Sequence, residues 1–261
     1  MRALRLFWSF FRIGAMNELQ YRANFAVQVV QSFISLGTGL AVLALVFSQT
    51  TSLNGWSQPE LLVVMGVYVL MGGVVQTVIQ PNMEKLMEDV RQGTLDFVLT
   101  KPEDGQVLVS VREVRIWHAV DILVGVVIVG YAIGQLQVGI GLPAALVFAV
   151  ALLLGGLMIY CFWLILTISA FWIVRIDEIV ELFAGVYQSG RFPVTIYPDW
   201  LRAGLTFLVP IAFAVTVPAE GLTGRLTATT LAGAAVFAAA LLAFTRWLWR
   251  TGLRRYSGAS A

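Results

Sequence analysis

At 261 residues, with 59% hydrophobic and only 12% charged side chains, the chain is far more apolar than a soluble domain, which carries about a quarter charged residues. Its net charge of +2 offers no field for nucleic acid or for an acidic soluble partner. A bilayer is the solvent that fits this composition, and a single membrane domain, residues 1–261, accounts for the whole sequence.

The first segment, residues 1–22, places Leu4, Phe7, Trp8 and Phe11 at i, i+3, i+4 and i+7, with Arg2, Arg5, Ser9 and Arg12 recurring on another face. This predicts a basic amphipathic helix at the cytoplasmic membrane face, held by anionic lipid and partial burial. Arg12 and Glu18 interrupt the apolar cluster and no small-residue cleavage site follows, so the segment is expected to be retained.

A membrane-crossing helix needs about 20 apolar residues. The first such stretch runs from about 23 to 47, and a second, about 61 to 79, follows the polar connector 48–60. A third runs from about 119 to 136 and a fourth from about 143 to 174. The stretch 176–217 is apolar but broken by Gly185, Gly190, Pro193, Pro198 and Pro210, and it holds Arg191, Asp199 and Arg202. Residues 179–190 are expected to form most of a fifth span, and 200–217 two half-helices hinged near Pro210, each too short to cross alone. The last span is about 226 to 249.

With six spans, fourteen of the seventeen Lys and Arg residues fall on one side, leaving only Arg191, Arg202 and Arg225 for the other. That asymmetry makes the richer side cytoplasmic and puts both termini there. A seventh crossing at 200–217 would turn the arginine-rich C-terminus outward, so the segment 191–222 is expected to be a re-entrant hairpin on the outer side. Such a hairpin would line a pathway or a subunit contact. The alternative is an interfacial helix lying flat.

The cytoplasmic segment 81–117 is the most patterned polar stretch. Met83, Leu86, Met87 and Val90 share one helical face, while Glu84, Lys85, Glu88, Asp89 and Arg91 occupy the remainder, and Gly93 is placed to end the helix. A second cluster, Leu95, Phe97, Val98 and Leu99, runs up to Pro102. Charges of both signs suit a protein socket better than an anionic lipid surface, which implies a soluble partner. The alternative is a helix packed against its own bundle.

Ionisable residues in or near the spans are few: Asp121, Arg175, Asp177, Glu178 and Glu181. Each needs polar surroundings. Arg175 and Glu178 are spaced to pair across one turn, which leaves Glu181 as the deeper functional candidate. His118 is the single histidine and Cys161 the single cysteine, so no metal cluster, catalytic base pair or internal disulfide is expected. The sequence has no phosphate-cradling GxxxxGK[ST] loop, no HExxH and no GxSxG, so no enzyme activity is expected of this chain.

The order of elements resembles that of ABC transporter permeases of the type-2 class. Two segments, VRQGTLDFVLTKP at Val90 to Pro102 and GRFPVTIYPDWLRAGLTFLVPIAFAVTVPAEGL at Gly190 to Leu222, are similar to those of a bacterial subgroup of such permeases. The resemblance covers nearly the whole chain. It implies an all-α membrane protein of six transmembrane helices, with an N-terminal interface helix, a cytoplasmic coupling helix between spans two and three, and the outer hairpin before span six.

By the same resemblance the coupling helix docks on separate ABC ATPase subunits, which assigns that role to Met83, Glu84, Leu86, Met87, Val90, Arg91, Leu95 and Asp96. ATP and Mg then belong to the partner, and this chain carries no cofactor. A second permease chain, the same or related, completes the pathway. The implied setting is the bacterial inner membrane, and the implied task is export of a hydrophobic or amphipathic cargo such as a lipid, a glycan or a drug-like molecule. Glu181, Arg191, Pro193 and Pro210 are the pathway or gate candidates.

Two other classes remain open. A self-sufficient ion-coupled secondary transporter or channel would use Glu181 or Asp121 as its ion site. A non-transporting scaffold would use the docking helix only to recruit a protein. The two halves of the chain show no internal similarity of the kind that secondary transporters often carry.

Overall fold

The structure is a computed structural model that describes residues 22–136, 141–169 and 177–254. The amphipathic segment expected at 1–22, the end of the fourth span and Arg175 lie outside or at the edge of the described residues. In chain order the helices are α1 (Arg22–Gln49), α2 (Gln58–Val74), α3 (Gln80–Gln92), α4 (Asp96–Leu99), α5 (Gly105–Val109), α6 (Ala119–Gln135), α7 (Leu142–Ser169), α8 (Asp177–Tyr187), α9 (Asp199–Ala203), α10 (Val217–Thr223) and α11 (Ala228–Leu253). Among the described residues the only β pairing is an isolated bridge between Leu53 and Trp56 in the α1–α2 connector.

Among the described residues, five helices are long and apolar enough to cross a membrane: Phe25–Gln49, Gln58–Gln92, Ile116–Gln135, Leu142–Ser169 and Ala228–Leu253. They fall where the sequence places spans one to four and the last. A sixth is counted if the pair Asp199–Leu208 and Ala212–Thr223, bent by 80°, is taken as one. The expected fifth span corresponds to α8, of which the 11 residues Asp177–Tyr187 are described, about 16 Å of helix before the tight turn Gln188–Arg191. It is therefore not among the five.

The second helix differs most from its expected bounds, because it does not stop at residue 79. A wide turn at Val75–Ile79 joins α2 to α3, and the 35-residue run is about 52 Å long against a hydrocarbon core of about 30 Å. Pro81 explains the turn. In a regular helix its ring would collide with the Thr77 carbonyl, and widening the preceding turn relieves that contact while the helix continues. Gly93, with φ of 71°, ends α3 in the left-handed conformation the sequence predicts.

The α2–α3 run is the centre of the bundle. Within its most apolar window 67% of residues are buried, compared with 11% for α1, which leaves most of α1's apolar side chains outward. α6 lies along α2 so closely that a Cβ on Gly125 would come within 2.5 Å of the Leu70 nitrogen. On the other side, the segment Ala212–Thr216 lies on α7, where a Cβ on Gly155 would sit 2.3 Å from the Phe213 carbonyl oxygen. Without a hydrophobic drive between helices in lipid, such backbone proximity is the main source of packing energy.

Contacts at the α1–α2 connector fix the bent pair. Just before it, the Thr195 carbonyl accepts from the Asn54 amide (2.5 Å) and the Thr195 hydroxyl from the Trp56 indole (3.0 Å). Just after it, Arg225 donates to the Gly55 carbonyl (2.6 Å) and to both Glu60 oxygens (2.8 and 2.9 Å), with its guanidinium 4.7 Å from the Trp56 ring. Both ends of the pair thus sit at one end of the bundle. Arg246 near the end of α11 pairs with Asp104 at the other.

The glycine contacts give a test. Gly125→Val is expected to destabilise the bundle by about 1–3 kcal/mol or more through overpacking, read as lost thermal or denaturant resistance in detergent. Gly130→Val on the same helix should change little, because nothing lies within 4 Å of a Cβ there.

Candidate functional site

The residues assigned to docking divide sharply. Met83, Leu86 and Leu95 have no exposure and Met87 only 5%, whereas Glu84, Val90 and Asp96 are half-buried and Arg91 is exposed. The apolar stripe of α3 faces its own bundle, in one cluster with Val98, Leu108, Val109 and Trp249. Of the two readings left open by the sequence, packing against the bundle is the one this stripe adopts. What the segment offers outward is different: Arg91 and Gln92 at the end of α3, Phe97 at 74% exposure on α4, and Lys101 beyond it.

That surface is held by polar groups that helical periodicity does not reveal. Pro81 cannot donate to the Thr77 carbonyl, which instead accepts from the Arg115 N–H at 3.0 Å. Asn82, fully buried, donates to the Val78 and Glu113 carbonyls (2.6 and 2.7 Å) and accepts from the Arg112 and Glu113 N–H groups (2.9 Å each). Asp89, nearly buried, pairs with Arg112 at 2.5 Å and accepts from the Thr94 hydroxyl at 3.0 Å. Glu84 takes Arg115 at 2.6 Å. The return strand of the connector is thereby stitched to α3 along its length. The one cue in the sequence is a polar residue with two-sided hydrogen bonding directly after a helix-interior proline.

Asp104 fastens the far edge. Its carboxylate caps α5, accepting from the Gln106 and Val107 N–H groups at 3.0 and 3.3 Å, and pairs with Arg246 of α11. The Arg246 hydrogen bonds hold its carboxyl below the ordinary value near 3.8, against some loss of hydration, with help from the Val107 N–H. A carboxyl with a lowered folded-state pKa contributes its stability above the unfolded value and loses it as pH falls through the folded one.

In the membrane-length part, a small polar groove of about 180 Å³ opens between α1, α2, α6 and α8, lined by Gln28, Gln31, Ser32, Ser35, Gln76 and Asp121 among others. Asp121 is spoken for: it accepts from Gln28 Nε2 at 2.9 Å and from the Ser32 hydroxyl, with His118 Nδ1 3.8 Å away. These contacts tie α1 to α6. Across the groove, Tyr187 stacks on Tyr68 with centroids 5.0 Å apart and donates to the Tyr68 carbonyl at 3.0 Å.

The four pathway candidates do not converge. Glu181 is exposed on α8 and makes no hydrogen bond or ion pair with a described residue. Arg191 places its guanidinium 5.8 Å from the Tyr68 ring. Pro193 and Pro210 are buried, and Pro210 stands at the break between the two halves of the bent pair, next to Val209 in extended conformation. Between those halves and α11 lies a larger cavity of about 540 Å³. Among the described residues no group of His, Cys, Asp and Glu could hold a metal ion.

Five to six membrane-length helices among the described residues, with a packed connector at one end and a bent helix pair at the other, define a multi-pass membrane protein. The family model described as ABC-2 family transporter protein matches residues 33–260, and the chain belongs to that family, as an ABC-2 type permease. No curated protein and no solved structure matches the chain.

Two outcomes follow for the platform. Asn82→Ala strands at least one buried backbone group, at about 1–3 kcal/mol each, and should make residues 110–115 the first protease-sensitive site in the detergent-solubilised protein. Exchange protection at residues 105–109 should hold from pH 7 down to about 4 and fall below it as Asp104 protonates, a step that Asp104→Asn removes.

Proposed function

We propose that this chain is the membrane subunit of an ATP-binding cassette exporter, forming a substrate pathway with a second permease and driven by separate ATPase subunits. Family membership is the observation that carries the reading. ATP and Mg act on the partner, where closure of the ATPases supplies the differential affinity that a conformational cycle requires. This chain contributes the lever: α2 and α3 form one run of helix, so a push on the connector is passed into the bundle without a joint. The chain is placed in the bacterial inner membrane with both termini in the cytoplasm, as the distribution of Lys and Arg supports.

On this reading the connector 81–117 docks through its outward groups, with Phe97 as the aromatic anchor and Arg91, Gln92 and Lys101 as the polar rim. The buried stripe Met83, Leu86 and Met87 transmits the load rather than making the contact. The bent pair is a re-entrant hairpin, supported by both of its ends being tied to the α1–α2 connector. The cargo is hydrophobic or amphipathic, in keeping with helices whose outward side chains are largely apolar among the described residues.

The test is co-purification from the native membrane in mild detergent. The wild-type chain should bring an ATPase with a phosphate-binding loop, and Phe97→Glu should reduce its recovery by about tenfold or more while the permease itself stays monodisperse. A charge at Leu86 would not serve, since it would break the bundle. Recovery unchanged by Phe97→Glu would remove the docking assignment. A wild-type chain that arrives alone would overturn the exporter reading and leave ion-coupled transport.

A further inference from the structure

The cavity between the bent pair and α11 has a polarity gradient along its depth. Asp199 and Arg202 belong to the first turns of the first half, Glu220 to the last turns of the second, and Thr230 to the first turn of α11. All four therefore lie toward the end of the bundle where Arg225 and Thr195 meet the α1–α2 connector. Deeper, the lining is aromatic. Phe207 and Phe213 flank the break, and Phe237 is seven residues, or about 10 Å, further along α11 than Thr230. Their rings touch through Phe237, with centroids 5.9 and 5.7 Å away.

The side chains of Asp199, Arg202 and Glu220 make no hydrogen bond or ion pair with a described residue. Glu220 lies within electrostatic reach of Arg202 and of Arg225, the latter held by Glu60 and Gly55, so the rim carries both signs of charge without closing on itself. Two carboxylates and one guanidinium above an apolar floor match a head that carries an ammonium and a phosphate on an acyl tail. The guanidinium suits the phosphate, and the carboxylates suit the ammonium. At about 540 Å³ the space is that of a small-molecule site. At the two ends of the first half apolar groups are directed outward, Trp200 beside Asp199 at the rim and Leu208 beside Phe207 at the break, each 75% exposed, as expected where a lipid tail leaves the cavity for the bilayer.

We infer that this cavity is a binding site for a zwitterionic phospholipid of the aminoethyl phosphate type, drawn from the leaflet on the side away from the ATPase. The assignment to that leaflet rests on the exporter reading. Binding itself does not, and it is measured on this chain alone, so failure here leaves the docking of the ATPase untouched.

Native mass spectrometry of the purified, delipidated protein tests the inference, using phosphatidylethanolamine and phosphatidylglycerol with identical acyl chains in equimolar competition. The wild type should retain phosphatidylethanolamine over phosphatidylglycerol by about tenfold, the ratio that one charge-assisted contact supplies. The Asp199→Asn, Glu220→Gln double variant should lose that preference. Gly233→Leu should lose both lipids, because Gly233 lines the cavity and a Cβ there meets nothing within 4 Å, so the leucine fills space without a clash. Equal retention of the two lipids by the wild type would overturn the inference. So would a preference that survives in the folded Gly233→Leu protein, the variant that keeps the test decisive if the charge variants misfold.

Discussion

Every backbone carbonyl near a bilayer has to find a donor, and in this chain the carbonyl that Pro81 leaves free is the one on which the architecture turns. Had Thr77 no other partner, the helix would have to end or kink there. Instead the Arg115 N–H reaches it, and Asn82 answers both sides of the adjoining backbone. A residue that ordinarily breaks a helix thus becomes the point at which the connector is bound to it. The wide turn before Pro81 is the local accommodation, and the 35-residue run is the result.

That run gives the bundle its hierarchy. α6 and α7 pack closely against it or beside it, the former at glycine-backed contact, and the apolar face of α3 is covered from within. The charged groups around α3 are paired among themselves: Asp89 with Arg112 and the Thr94 hydroxyl, Glu84 with Arg115, Asp104 with Arg246 and the α5 backbone. The partly exposed pairs Glu84–Arg115 and Asp104–Arg246 contribute little individually. Together with Asn82 they give the connector one fixed conformation, which an apolar stripe alone would not specify.

The sequence carried the membrane class, five of the span positions, the Gly93 stop and the break at Pro210, because long apolar runs and Pro or Gly punctuation are local signals. It did not show that the second span and the helix after it are one continuous run, since whether a proline stops a helix depends on what a segment 38 residues after the carbonyl it frees can offer. Periodicity correctly put Met83, Leu86 and Met87 on one face but could not say whether a partner or the bundle covers it, and the bundle does. Asp121 appeared as an isolated charge; Gln28 and Ser32, some ninety residues earlier, complete it. The hinge near Pro210 was legible, but which side chains it brings together was not: Glu220 joins Asp199 and Arg202 around one cavity only in three dimensions.

The fastening of the bent pair has a mechanical consequence. Thr195 and Arg225 pin its two feet to the same short connector, and Glu60, which receives Arg225, also accepts from the Ser57 N–H at the start of α2. The pair behaves as an arch with both abutments on one foundation: it can rock with α2 or flex at its crown near Pro210, but it cannot slide away from the helix that reaches the opposite face. On the exporter reading, displacement of the long helix at one end of the bundle would be felt at the other by the arch as a whole.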